Sequence, residues 1–450
     1  MSRPVDLLIR PQWLVPVVPQ GTVWQDHALA VADGAIVALG PAASVASEVT
    51  PAEVLDLPDT VLCPGLINAH THSAMTLLRG VGDDLPLEIW LGQRMWPLEA
   101  RFISADFVAA GTDLAIAEML LGGTTCANDM YFFPDVVARQ AIRRGFRMAV
   151  GIIVVEFPSA WADSRDDYFR RGLDMHDALR DEPLITTTLA PHAPYTVADE
   201  SFARIRTLSD QMNLPINLHL HETAKEVSDA VADNGLRPFA RLRGLGLINE
   251  NLLAVHMTQL TPAEIEVCAE AGVSVLHCPE SNLKLASGIC PVEALRQAGV
   301  TVALGTDGAA SNNDLDLWGE MRTAALIGKQ VAGSAEAVPA GYALEMATIN
   351  GARALGLEQQ IGSLEVGKRA DLVALSLKDL SSRPLYDVIS QLVYAGHRSQ
   401  VSHVWVEGQQ RVREGQLVDF DVPGLRSTVD HWQQQIQEAL AEAGVMNNSG

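Results

Sequence analysis

The chain has 450 residues, 48% hydrophobic and 5% aromatic, with 35 Gly and 23 Pro, proportions that exclude collagen-like and low-complexity classes. Lys and Arg number 32 against 55 Asp and Glu, a net charge of −23. Such a surface repels phosphate backbones and anionic lipid, so neither nucleic acid nor a membrane surface is an expected partner. Five scattered cysteines (Cys63, Cys126, Cys268, Cys278, Cys290) form no CxxC and read as reduced thiols of a cytoplasmic protein. The first twenty residues hold four prolines and no clean apolar stretch, unlike a secretory signal. No apolar run approaches the roughly 20 residues of a membrane helix.

In chain order, residues 1–60 offer short alternating runs (Val5–Ile9, Ala28–Val31, Ala35–Leu39) broken by Gly, Asp and Pro, the texture of hairpin strands. Eight apolar, β-branched runs follow: Val61–His72, Thr124–Met130, Arg147–Val155, Leu184–His192, Leu214–His221, Leu252–Thr258, Ser274–Cys278 and Thr301–Asp307. Helical spacing fills Ala105–Leu121, Pro134–Arg144, Ala198–Gln211, Pro262–Ala271 and Val292–Ala298, while 156–182 reads as a Gly-, Asp- and Ser-rich loop. Strands covered on both faces and alternating with helices predict an α/β fold with a parallel sheet, and eight is the number that closes a (β/α)8 barrel. An open doubly wound sheet is the alternative, but it often carries a glycine-rich phosphate fingerprint that is missing here. Asp371–Val418 repeats the texture of the N-terminus. Each half is too small to bury much surface, so 1–60 and 364–420 are expected to complete one small β-sandwich around a barrel at 61–363. A helix and tail at 421–450, amphipathic over Trp432–Ala443, ends the chain.

Seven of the twelve histidines fall at the C-terminal ends of the runs: His70, His72, His192, His219, His221, His256 and His277, joined by Glu222 and Asp307. In a barrel these ends converge on one rim, where active sites are built. His70 and His72, at i and i+2 on a strand, point to one face and are spaced to share a Zn²⁺. A hydrogen-bonded pair at a strand end would look the same. His219 and His221 have equal parity, so either qualifies as a ligand by spacing alone.

The segment PGLINAHTH at 64–72 resembles the first-strand signature of the amidohydrolase superfamily. LHLHE at 218–222, HCPESNLKL at 277–285 and LGTDGAASNNDLD at 304–316 follow in that superfamily's order, and GSLEVGKRADLVAL at 362–375 resembles its small β-domain. The branch it resembles holds 5′-methylthioadenosine/S-adenosylhomocysteine deaminases, guanine deaminases and s-triazine hydrolases. The resemblance implies a metal held by His70, His72, His219 and Asp307, with Glu222 as acid/base, His256 beside the nucleophile, and His221 in a supporting or packing role. His277 is left between holding its loop and touching substrate. Dinuclear members bridge their metals with a lysine on the fourth strand. The first lysine here is Lys225, so one ion is expected, Zn²⁺ by ligand type, with Fe²⁺ or Mn²⁺ tolerating the same set.

For substrate, EIWLGQRMWPLEA at 88–100 resembles the methylthioadenosine deaminase segment whose glutamate binds ribose hydroxyls, which falls on Glu99. His192 in APHAPYT matches a substrate-contacting histidine. Trp90 and Met95 suit either an apolar pocket or the core. The branch reads the carboxylate of S-adenosylhomocysteine with an arginine after the third strand. Here that position offers Glu156 and nothing basic before Arg165, with Arg170 and Arg171 further on. The implied activity is zinc-dependent hydrolytic deamination of an adenine nucleoside. 5′-Methylthioadenosine comes first, S-adenosylhomocysteine and adenosine follow, and guanine, a pterin or an s-triazine is the alternative. A non-enzymatic scaffold would have lost at least one of His70, His72, His219, Glu222 and Asp307, and all five are present. The sequence does not fix the oligomeric state and leaves a homo-oligomer open.

Overall fold

Strands buried on both faces need apolar residues on both faces, and the eight runs in the middle of the chain do pair into one sheet. The computed structural model describes residues 2–443. Its central sheet takes eight parallel strands in chain order: Leu66–Thr71, Thr124–Asp129, Arg147–Val154, Ile185–Pro191, Ile216–Leu220, Leu252–His256, Ser274–His277 and Thr301–Leu304. The two ends of this sheet meet. Asp307 N donates to His70 O and Thr306 N to Asn68 Oδ1, each at 3.0 Å. A Cβ on Gly305 would stand 2.8 Å from both the backbone N and O of His70, so only glycine lets the eighth strand run this close to the first. The sheet curls into a nearly closed (β/α)8 barrel whose strand ends share one rim.

The helices at Ala105–Leu121, Pro134–Arg144 and Pro262–Ala271 have the expected bounds. Three segments differ from expectation. Val61–Pro64 closes the long strand Val49–Pro64 of the other sheet, and the barrel strand starts only at Leu66. The expected loop at 156–182 contains a helix, Arg165–Ala178, whose N-cap Ser164 accepts a bond from Asp167 N; Tyr168, Phe169, Gly172 and Met175 form its buried stripe. The C-terminal helix begins ten residues before Trp432, at Val422, because Asp421 caps it by accepting from Gly424 N and Pro423 fits its first turn. Trp432 packs edge-on against Phe102 and Phe107. Residues 444–450 of the expected tail lie outside the described residues.

Both chain ends build a single nine-stranded mixed sheet. Arg3–Leu14 runs parallel to Val49–Pro64, and Leu372–Ser376 lies antiparallel to the end of that same strand, with Leu372 opposite Pro64. Leu29, Ile36, Leu62, Leu372 and Trp405 share one apolar cluster, so residues from both ends fill a common core. A buried ion cluster ties this sheet to the barrel. Arg147 donates from Nε and Nη2 to the two Asp371 oxygens (2.9 and 3.2 Å) and also pairs with Glu407. Removing one partner strands the other's charge out of water. Arg147→Ala is therefore expected to lower unfolding stability by about 3–5 kcal/mol, read by denaturant melting.

Candidate active site

Three imidazoles and one carboxylate converge at the rim. One donor atom from each of His70, His72, His219 and Asp307 lies within 4.8 Å of the others. His72 Nδ1 faces the Met130 carbonyl at 2.5 Å, and His219 Nδ1 faces the His192 carbonyl at 2.7 Å. A carbonyl only accepts, so each Nδ1 carries hydrogen and each ring turns Nε2 inward. His70 Nε2 and His219 Nε2 stand 3.1 Å apart, His72 Nε2 is 3.0 Å from Asp307 Oδ1, and His70 Nε2 is 3.7 Å from that oxygen. Ligands held at about 2.0–2.1 Å by a tetrahedral ion stand about 3.3 Å apart, so these spacings and this N3O donor set fit Zn²⁺. Burial, reinforced by the neighbouring histidines, drives His70 and His219 well below the usual imidazole range, which leaves both neutral as ligation requires. The fourth barrel strand, ITTTLAP, has no lysine to bridge a second ion.

Asp307 is aimed by residues whose roles sequence reasoning did not assign. Its Oδ2 accepts from Ser281 Oγ (2.7 Å) and Ser311 Oγ (2.9 Å), and this directs Oδ1 at the histidines. Asn282 Nδ2 donates to His256 Nδ1 at 2.9 Å. That fixes the hydrogen on His256 Nε2, which faces Glu222 Oε2 at 3.8 Å. Ser281, Asn282 and Ser311 sit inside the quoted motifs. The Met130 and His192 carbonyls carry no residue-type signal at all.

Glu222 is almost fully enclosed, touched at Oε1 by Ser287 Oγ at 3.4 Å. Burial first, then the Asp307 charge, pushes its carboxyl up to about 8, so it carries a proton at neutral pH, the state an acid catalyst needs. His221, Glu222's neighbour, is turned away. The strand stops at Leu220, His221 takes φ +54°, and its Nε2 accepts from Phe239 N at 3.2 Å. His256 (φ +75°) and Asp307 (φ +60°) share this left-handed backbone. Such strain costs about 1–3 kcal/mol per residue and tends to gather at working sites. His277 is buried, has no hydrogen-bond partner on either ring nitrogen among the described residues, and is absent from the cavity wall.

A cavity of about 1440 Å³ opens onto His72, His219, Glu222, His256 and Asp307 and is also lined by Trp90, Glu99, Tyr131 and His192. Tyr131 Oη donates to Glu99 Oε1 at 2.7 Å, a contact the sequence did not signal. Met95, in contrast, is fully buried in the core. Glu156 is engaged by Ala198 N and Ser201 Oγ. Arg165, Arg170 and Arg171 pair with acids on their own helix and do not line this cavity. The two cations that do line it are both held: Lys225 by Asp229, and Arg241 by Asp199 and the Pro194 and Val197 carbonyls.

The Amidohydrolase family pattern matches residues 61–411, and the chain belongs to that family. It is 46% identical over 440 residues to a protein of Saccharophagus degradans named 5-methylthioadenosine/S-adenosylhomocysteine deaminase, covering 98% of this chain and 99% of that one. A crystal structure of an adenosine deaminase from Xanthomonas campestris with bound zinc is 55% identical, with a TM-score of 0.96 over 97% of this chain and 100% of that one. A zinc complex of an atrazine chlorohydrolase from Arthrobacter aurescens TC1, at 23% identity and a TM-score of 0.86, covers 95% of this chain and 100% of that one, and shares the fold. No helix among the described residues is long and apolar enough to cross a membrane.

Proposed function

We propose that the protein is a zinc-dependent hydrolytic deaminase of adenine nucleosides, with 5′-methylthioadenosine as its best substrate, and that it carries one ion per chain. The observation that carries this reading is the N3O cluster of His70, His72, His219 and Asp307, set beside the buried Glu222 carboxyl on one cavity. The names of the two relatives more than 45% identical, a methylthioadenosine/S-adenosylhomocysteine deaminase and an adenosine deaminase, share the adenine nucleoside and support it. The same proposal takes the barrel as the hydrolase unit, with its expected start at 61 moved to Leu66 because Val61–Pro64 belongs to the other sheet, and takes the N-terminal segment with 364–420 as the small domain.

His70, His72, His219 and Asp307 would hold the ion, which would supply Lewis acidity and bring the pKa of water down towards about 7. Glu222 donates its proton to N1 of the adenine ring, which makes the adjacent carbon electrophilic. Asp307 Oδ1 accepts the proton that the attacking water loses, while His256 Nε2–H orients that oxygen. The water oxygen bonds to C6, the amino group takes the proton held by Asp307, and the C6–N bond breaks to release ammonia; the C6 hydroxyl then returns a proton to Glu222, so adenine plus water becomes the 6-oxo base plus ammonia. Trp90 and His192 border the base and sugar. Glu99, with one oxygen held by Tyr131, offers the other to the ribose hydroxyls.

The preference among nucleosides follows from charge. The carboxylate of S-adenosylhomocysteine would meet a cavity wall bearing Glu88, Asp229 and Asp233, where both cations are already paired. A neutral thioether avoids that mismatch. The test is ammonia release from 5′-methylthioadenosine, S-adenosylhomocysteine, adenosine, guanine and a chloro-triazine. The highest kcat/KM is expected for 5′-methylthioadenosine, and preference for a free base or triazine would overturn the reading. Glu99→Ala is expected to lower kcat/KM for nucleosides about 10- to 100-fold, the loss of a charged hydrogen bond.

A further inference from the structure

Glu222 works only if its side chain is aimed into the cavity, and its backbone leaves a strand through the left-handed turn at His221. One carboxylate spans that turn. Glu226 Oε1 accepts from His221 N at 3.1 Å, and Oε2 accepts from Glu222 N at 2.7 Å. Successive backbone N–H groups around a left-handed residue form a concave anion seat, and here the anion is the chain's own. The arrangement departs from ordinary helix capping. Thr223 caps the helix Ala224–Asn234 by accepting from Glu226 N. In a regular capping box the glutamate at this position reaches back to the N–H of the cap residue. The chain builds that regular form at Thr261 and Glu264, where Glu264 Oε2 accepts from Thr261 N at 2.8 Å. Glu226 instead reaches past Thr223 to the two residues before it. On the carbonyl side the same turn is tied by Thr258, whose N donates to His221 O (3.0 Å) and whose Oγ1 donates to Glu222 O (2.7 Å).

We infer that Glu226 is a positioning residue for the deamination, its carboxylate clamping the backbone of His221 and Glu222 so that the Glu222 side chain is held towards the substrate base. It lies outside the four-ligand cluster and borders the same cavity, but both of its carboxylate oxygens are taken up by the His221 and Glu222 N–H groups, so it acts through Glu222. The inference rests on Glu222 being the proton carrier. A misplacement of about 1 Å in a catalytic group costs on the order of 10²-fold in rate, so losing the clamp shows in kcat and leaves KM and zinc content alone.

The experiment is a double-mutant cycle on the full-length zinc enzyme with Glu226→Gln, Glu222→Gln and both together. Glu226→Gln is expected to lower kcat about 10- to 100-fold with KM and zinc per chain unchanged. In the double variant the second change adds nothing beyond about threefold to the loss from Glu222→Gln alone. Glu226→Asp keeps the charge but is one methylene too short to span both N–H groups. It is expected to lose kcat in the same way and serves where the Gln variant does not fold. Wild-type kcat in the folded Glu226 variants, zinc loss in parallel with kcat, or additive losses in the cycle would each overturn the inference. Full activity in Glu222→Gln would instead remove the proton-carrier reading beneath it.

Discussion

Glu222→Gln is expected to keep its zinc and to lose kcat by at least ~10², about 2.7 kcal/mol of transition-state stabilisation. The amide keeps the shape and the hydrogen-bonding reach of the carboxyl, so the nearby Ser287 and His256 contacts survive. What it lacks is a transferable proton. The wild-type carboxyl holds that proton at neutral pH because burial, and then the Asp307 charge, push it up to about 8. A group titrating that close to the working pH donates and recovers a proton readily. Glu222 lies outside the four-ligand cluster, so metal content should not change. Steady-state ammonia release together with elemental zinc analysis separates the outcomes. Near-normal turnover removes Glu222 from the chemistry, and zinc loss moves it into the metal shell.

The larger loss is expected from Asp307→Asn, a fall in kcat of at least ~10³ accompanied by weaker zinc binding. In the proposed mechanism Asp307 serves twice, as the one carboxylate beside three imidazole ligands and as the acceptor of the water proton. Its carboxylate is held ionised: burial alone would raise its pKa, but the His72 hydrogen bond and charge outweigh burial and keep it well below the usual carboxylate range. Asparagine fits the space and still accepts one of the bonds from Ser281 and Ser311, so the loop stays folded. Neither the charge nor the basicity remains. Zinc content and kcat measured on the same preparation check both roles, and a variant with full zinc and full activity would rule out both.

The barrel was legible because its strands are apolar on both faces. Each of the eight apolar, β-branched runs contributes one strand to the barrel, and residues such as His70, His219 and Asp307 fall where those strands end. The first boundary was not legible, since Val61–Pro64 and Leu66–Thr71 are equally apolar and are separated only by Gly65. The helix Arg165–Ala178 was hidden by its polar surface and its internal Gly172. At the site, the choice between His219 and His221 is made by a backbone angle, φ +54° at His221, that parity along a strand does not encode. The aiming contacts were harder still. Ser281 and Ser311 look like ordinary loop polar residues until Asp307 is seen between them, and the carbonyls of Met130 and His192 could come from any residue.

Titration of metal-free protein with zinc while following ammonia release from 5′-methylthioadenosine tests the whole scheme most directly. Activity is expected to be absent at the start, to rise in proportion to added zinc, and to level off at one equivalent per chain. Turnover without metal, or activity that keeps climbing towards a second equivalent, would contradict a single-ion site built from His70, His72, His219 and Asp307.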